Sequence, residues 1–108
     1  MDVPETRAAL EARWLDLTRR AMPAAAPVRG WPVRFDHCFQ RILLDNATDG
    51  VWYDAIRGRP AYRHASGAVL ARAVALGEAA LAGEADLAAL NRASLGWRGR
   101  AGPARRSA

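Results

Sequence analysis

Apolar residues recur at helical spacing in four stretches of the chain, which are separated by breaks rich in glycine and proline. The first stretch repeats an apolar side chain every three or four residues, at Leu10, Trp14, Leu17 and Ala21. This spacing predicts an amphipathic helix over roughly residues 4–21. Pro23 and Pro27 follow, and proline removes a backbone donor and crowds the preceding turn. We therefore expect the helix to stop there and a linker to cover residues 22–30.

The second stretch, over roughly residues 33–47, is apolar around more than half of the circumference of a helix. Its apolar residues are Phe35, Cys38, Phe39, Ile42, Leu43 and Leu44. A helix with so little polar perimeter belongs inside a domain, packed on several sides. Thr48-Asp49-Gly50 is a turn signal that ends it. We therefore expect this apolar helix to be the central one of the fold.

The segment over residues 51–64 has no clear period. Bulky side chains come first, and Arg57-Gly58-Arg59-Pro60 then interrupts any regular element. We expect one short helical turn followed by an extended connection. A short two-stranded element is the alternative.

Two further helices are predicted over roughly residues 66–82 and 85–95. Ser66 can cap the start of the first, and Gly83 stands where a glycine that ends a helix belongs. Because the connection between the two is so short, they are predicted to form a C-terminal αα-hairpin.

Length and composition fit one helical domain. The chain has 108 residues, of which 51% are apolar, enough for a single core. Its one cysteine, Cys38, cannot form an internal disulfide, and nothing resembles a secretory signal or a bilayer-spanning run of roughly 20 apolar residues. We therefore expect an all-α, cytoplasmic domain over residues 1–98, with no membrane partner. The Arg/Gly-rich residues 99–108 lack apolar periodicity and are expected to form a flexible tail.

Positive charge is concentrated in the second half of the chain. All 16 basic residues are arginine, a bias that, with 25 alanines, is typical of a GC-rich genome. Selection for bidentate phosphate contacts is the alternative explanation. Residues 1–56 carry a net charge of −1 and residues 57–108 carry +6. Five arginines and no acidic residue from Arg92 to Arg106 predict weak, sequence-indifferent attraction to nucleic acid at low salt.

The polar residues of the central helix are the best candidates for a binding site. His37, Arg41 and Asp45 are spaced by four, so they lie one above another on one face. Asp36 and Gln40 lie beside this column, and Asn46 lies at the end of the apolar stripe. One interpretation is a solvated ladder of salt bridges, in which Arg41 holds Asp45 ionised. The other is a polar cleft, because this helix has too little polar perimeter for a typical surface helix.

Aromatic residues at the ends of the segments suggest a pocket beside that column. Trp52 and Tyr53 are placed on its wall, and His64 on its rim with Tyr62 and Arg63. The alternative is that these rings clamp loops onto the core. Cys38 is expected to be a buried, inert thiol, although His64 could supply it with a base. No Cys/His pair has the spacing of a metal site, so no metal is expected. No P-loop, G-x-G-x-x-G or G-x-S-x-G motif occurs, and no cofactor is expected either.

Residues 31–99 carry a pattern that resembles a known group of proteins. The pattern comprises Trp31-Pro32, Phe35-Asp36-His37-Cys38-Phe39-Gln40-Arg41-Ile42, Leu44-Asp45-Asn46-Ala47, Trp52, Pro60-Ala61 and Leu90-Asn91-Arg92-Ala93-Ser94-Leu95-Gly96-Trp97-Arg98-Gly99. It is similar to short proteobacterial proteins, some of which are labelled GNAT-type N-acetyltransferases. That label implies acetyl-CoA binding through Q/R-x-x-G-x-G/A after a central strand. No Arg or Gln of this chain is followed by glycine in that arrangement, so no catalytic residue is carried across.

The sequence favours a small intracellular binding or adaptor domain. It would hold a protein partner or a small ligand on the face formed by Asp36, His37, Arg41 and Asp45 and the nearby aromatic residues. An acetyl-CoA-dependent acyltransferase is the alternative that the resemblance implies, and a weak nucleic-acid binder is the second alternative. The exposed flank of the first helix leaves a homodimer open.

Overall fold

Helices form all the regular secondary structure of residues 5–99, which are the part of the chain that the computed structural model describes. The helices are α1 (Arg7–Asp16), a π-helical segment (Leu17–Ala21), α2 (Met22–Arg29), α3 (Asp36–Thr48), α4 (Trp52–Ala55), α5 (Ala61–His64), α6 (Gly67–Leu81) and α7 (Leu87–Trp97). The predicted all-α fold is confirmed, and these residues contain no strand. Among the helices of residues 5–99, none is long and apolar enough to cross a membrane.

The predicted linker over residues 22–30 is wrong, because the first helix continues through the π-helical segment into α2. In that segment the N–H of Met22 donates to the carbonyl of Leu17, five residues back. The widened turn directly precedes Pro23, whose ring would otherwise crowd the carbonyl four residues before it. Burial of Met22 and Ala26, each at most 1% exposed, then favours helix over the local preference of proline. Gly30, with a φ of 66°, ends the helix.

The predicted central position of the second helix is confirmed. α3 contacts α2, the π-helical segment, α4, α6 and α7. Its inner face buries five apolar side chains, those of Phe39, Ile42, Leu43, Leu44 and Ala47. Phe35 does not belong to this face, in contrast to the prediction: it lies at the N-cap of α3 and is 65% exposed.

The segment between α3 and α6 contains two short helical turns, α4 and α5, where the sequence predicted one. The two-stranded alternative is excluded for this segment. Ile56 and Ala65 anchor it in the core, each 4% exposed. Arg7 of α1 ties it down further by donating to the carbonyls of Tyr62, at 2.8 Å, and Ala65, at 2.7 Å. The segment is therefore held against the helical body at both ends.

The last two helices form as predicted, and both pack against α3. Ser66 caps α6 by accepting from the N–H of Val69, and Asp86 caps α7 by accepting from the N–H of Ala89. Gly83 adopts the expected left-handed conformation after α6, with a φ of 80°. The two helices follow each other through a tight turn, but their main contacts are with α3 rather than with each other. The predicted tail over residues 99–108 lies almost wholly outside the described residues, which end at Gly99.

Candidate functional site

The predicted column on α3 exists and runs from solvent into the core. His37 is exposed, Arg41 is half-buried one turn later, and Asp45 is completely buried one turn after that. The four-residue spacing accounts for the shared face. A solvated ladder of salt bridges is therefore wrong for the inner end of the column, because a carboxylate with 0% exposure is not solvated.

Asp45 pairs with Arg98, which follows α7, and not with Arg41. The Nε and Nη2 groups of Arg98 donate to the two carboxylate oxygens, at 2.7 and 3.0 Å. The hydroxyl of Ser94 donates at 2.7 Å and the backbone N–H of Trp52 at 3.0 Å. Four donors match the hydrogen-bonding capacity of an ionised carboxylate. The hydrogen bond to Asp45 in turn raises the pKa of Arg98 above its ordinary value.

Arg41 connects this buried cluster to the surface. Its guanidinium donates to the hydroxyl of Ser94 at 2.7 Å and to the side-chain oxygen of Asn91 at 2.9 Å. Burial lowers the pKa of Arg41, and neighbouring Arg98 lowers it further, whereas Cys38 and Asp45 oppose the shift. An arginine keeps its charge at neutral pH despite such a shift, so the half-buried guanidinium is a fixed positive charge.

A recess of about 270 Å³ opens above Arg41, between α3 and the segment that joins α4 to α5. We call it the cationic recess, and its lining residues are His37, Gln40, Arg41, Trp52, Arg59, Pro60 and Ala61. The guanidinium of Arg59 lies over the ring of Trp52, 5.2 Å from the ring centroid, as in a cation–π contact. None of the lining residues is acidic. The recess is therefore positively charged, with one aromatic wall.

Two exposed aromatic rings contact residues that line the cationic recess. Phe35 stacks on His37, with a centroid distance of 5.9 Å and an interplanar angle of 4°. Tyr53 is 52% exposed and meets Trp52 edge to face at 5.4 Å. The guanidinium of Arg98 lies 5.4 Å from the centre of the Tyr53 ring. Aromatic surface therefore extends outward from the recess on the His37 side and on the Trp52 side.

Of the eight predicted site residues, three line the cationic recess: His37, Arg41 and Trp52. Three more lie next to the recess, and two lie elsewhere. Asp36 is exposed beside His37, with its carboxylate oxygen 3.6 Å from the ring nitrogen Nδ1. Asp45 and Tyr53 adjoin the recess through Trp52.

Asn46 and His64 lie outside the cationic recess, and both contact the backbone of neighbouring segments. Asn46 follows His37 by nine residues, about half a turn out of phase, and donates to the carbonyls of Ile42 and Leu90. The ring of His64 lies against Gly58 rather than on the rim of the recess. The hypothesis that His64 serves Cys38 as a base gains no support from this position.

Sequence reasoning placed Gln40 beside the column but missed three residues that build the site: Arg59, Ser94 and Arg98. A signal for Ser94 and Arg98 was present in the sequence, because Asn91, Ser94 and Arg98 are spaced by three and four residues and form a polar stripe along α7 and its C-cap. A polar stripe opposite Arg41 and Asp45 indicates a buried network between two helices. Arg59 had no such signal, because its position depends on how the irregular segment folds back over α3.

Comparison with known proteins yields no match: no protein-family model, no curated protein and no solved structure is similar to this chain. The resemblance to GNAT-labelled proteins therefore remains a prediction. Function has to be argued from the geometry of the site.

Proposed function

We propose that the protein is a small binding domain whose cationic recess holds an acidic group, a carboxylate or a phosphate, of a ligand or partner. The observation that carries this proposal is the pair Arg41 and Arg59, both lining a recess that no acidic residue lines. Guanidinium groups bind carboxylates and phosphates through paired, charge-assisted hydrogen bonds. Asp45 does not neutralise the recess, because its charge is already paired with Arg98.

The fixed position of Arg41 strengthens this proposal. Two of its donor groups are held by Asn91 and Ser94, so its guanidinium has little rotational freedom left to lose on binding. Arg59 is exposed and rests on Trp52, so it can close over a bound anion. An arginine held by two hydrogen bonds and an exposed arginine lining the same recess are suited to binding a small charged group.

The size of the recess limits what it can hold. At about 270 Å³ it lies just below the roughly 300–1,000 Å³ of pockets that enclose a drug-sized ligand. It therefore suits one acidic group with its immediate neighbours, and a larger partner would lie mostly outside. This favours a binding or adaptor domain over an enzyme that encloses its substrate. A cytoplasmic location belongs to the same proposal.

The acetyl-CoA alternative depends on the resemblance to GNAT-labelled proteins alone. The mixed sheet of that family is not present in residues 5–99, and the chain lacks the pyrophosphate-binding motif. An acyltransferase would therefore have to work on a helical scaffold.

A thermal-shift panel tests these functions against each other, since a ligand that binds only the folded state raises the unfolding temperature. The ligands are inorganic phosphate, acetate, CoA and acetyl-CoA, each at matched ionic strength. We expect phosphate or acetate to stabilise the wild type and Arg72→Gln, an exposed arginine of α6 outside the recess, but not Arg59→Gln. Stabilisation by acetyl-CoA alone would favour the acyltransferase, and no stabilisation by either anion would refute the proposal.

A further inference from the structure

We propose that the partner of the cationic recess is a single-stranded nucleic acid, with a backbone phosphate in the recess and bases stacked on the exposed rings of Tyr53 and Phe35. This inference rests on the proposed function, because it names the source of the acidic group. It also assigns a role to aromatic surface that binding of a small anion would leave unused.

The first observation is a continuous row of two aromatic rings with an arginine at each end. The guanidinium of Arg98 lies 5.4 Å from the ring of Tyr53, which lies 5.4 Å from the ring of Trp52. The guanidinium of Arg59 lies 5.2 Å from the same Trp52 ring. Trp52 and Arg59 belong to the recess, whereas Tyr53 and Arg98 extend the row beyond it. The positive charge open to a phosphate in this row comes from Arg59, because Arg98 is paired with the buried carboxylate of Asp45. Proteins that bind single strands combine positive charge along the backbone with aromatic platforms for successive bases.

The second observation is Phe35, which occupies the other side of the recess. Phe35 is 65% exposed, and it lies at the N-cap of α3 rather than on its buried face. It lies parallel to the ring of His37, which itself lines the recess. A planar pair with an open face is a platform on which another flat ring can stack. Exposed platforms therefore adjoin the recess through both His37 and Trp52.

The aromatic rings favour a single strand over the other polyanions that could supply an acidic group. In a duplex the base faces are stacked on each other, so they cannot reach Tyr53 or Phe35. An acidic peptide offers carboxylates to Arg41 and Arg59 but no flat rings for the platforms. The net charge of the chain, +5, agrees with a polyanionic partner. Stacking tolerates every base, so little sequence preference is expected.

Fluorescence anisotropy with a labelled 12-nucleotide thymidine strand tests this inference on the full chain. The matched probe is an abasic strand of the same length, which keeps the phosphates and lacks the rings. We expect the thymidine strand to bind about a hundredfold more tightly than the abasic strand, because stacking of one base on each of Tyr53 and Phe35 would provide about tenfold per base. Affinity for both strands should fall as salt rises, with a slope of about −0.7 per phosphate contacted.

Substitutions at the platform separate stacking from charge. Tyr53→Leu should lose about tenfold in affinity for the thymidine strand and nothing for the abasic strand, because it removes a ring and no charge. Tyr53→Phe should keep the wild-type affinity for both. Arg59→Gln should weaken both strands equally. Circular dichroism of each variant shows whether the helical fold is retained.

Several outcomes would overturn the inference. Equal affinity for the two strands would show that bases are not bound. Full competition by poly-glutamate at the same charge concentration would assign the site to acidic peptides. Binding that is unaffected by Tyr53→Leu and Arg59→Gln but lost in the double variant Arg105→Gln, Arg106→Gln would place it in the C-terminal arginines. If phosphate still stabilises the protein in these cases, the inference fails and the proposed function stands.

Discussion

Asp45 and Arg98 are 53 residues apart in the chain and form a two-point ion pair between α3 and the C-terminal end of α7, at 2.7 and 3.0 Å. The same carboxylate accepts from the backbone N–H of Trp52, the first residue of α4. One buried side chain thus fixes both the last helix and the aromatic wall of the cationic recess. The stability of the domain and the shape of its recess are therefore linked through Asp45.

The first prediction is that Asp45→Asn destabilises the domain strongly. The substitution keeps the volume of the side chain but leaves the Arg98 guanidinium without a counter-charge. Breaking a buried ion pair on one side costs roughly 3–5 kcal/mol, a large part of the 5–15 kcal/mol that a domain commonly has. Urea unfolding followed by circular dichroism measures the loss. Asp16→Asn, which removes an exposed carboxylate paired with Arg20, should leave the midpoint almost unchanged.

The second prediction concerns the other half of the pair. Arg98→Gln should lower the free energy of unfolding, whereas Arg92→Gln, the same change at an exposed position of α7, should have little effect. Combining Arg98→Gln with Asp45→Asn should cost less than the sum of the two single changes, with a coupling of roughly 1–3 kcal/mol. If the losses in unfolding free energy of the two single variants sum to that of the double variant, the two side chains stabilise the fold independently.

The third prediction is that Gly58→Ala disturbs the segment that carries Arg59. Gly58 has a φ of 126°, which other residues rarely adopt, and an added Cβ would lie 2.6 Å from the ring of His64. We expect a loss of roughly 1–3 kcal/mol in unfolding free energy and weaker phosphate binding. Gly67→Ala is the matched control, because an added Cβ there meets nothing within 4 Å and φ is ordinary. If Gly58→Ala unfolds at the wild-type midpoint, the segment is more adaptable than the structure implies.

The helices could be predicted from the sequence wherever apolar periodicity was strong, and α2 is the exception. Pro23 and Pro27 argued against α2, but Met22 and Ala26 bury their side chains in the core and the π-helical segment makes room before Pro23. The burial of these side chains outweighs the low helix propensity of proline, and a single sequence does not reveal that burial.

Only the part of the candidate site that lies on α3 could be predicted from the sequence. The spacing of His37, Arg41 and Asp45 correctly placed them on one face of α3. The partner of Asp45 was missed because Arg98 comes from a distant helix whose facing depends on the packing of α7 against α3. Arg59 was missed because its segment has no apolar periodicity, so the sequence does not indicate which way the side chain of Arg59 faces.

The central claim, that an acidic group binds in the cationic recess, is tested most directly by a phosphate titration followed by ¹H–¹⁵N NMR at constant ionic strength. The four tryptophans, at positions 14, 31, 52 and 97, give four indole N–H signals, and only Trp52 lines the recess. We predict that the Trp52 indole and the Arg59 Nε–H signals move together to saturation with one Kd, while the other three indoles stay in place. Equal, unsaturating shifts at all four tryptophans, or a saturable shift at Trp97 without one at Trp52, would contradict the account.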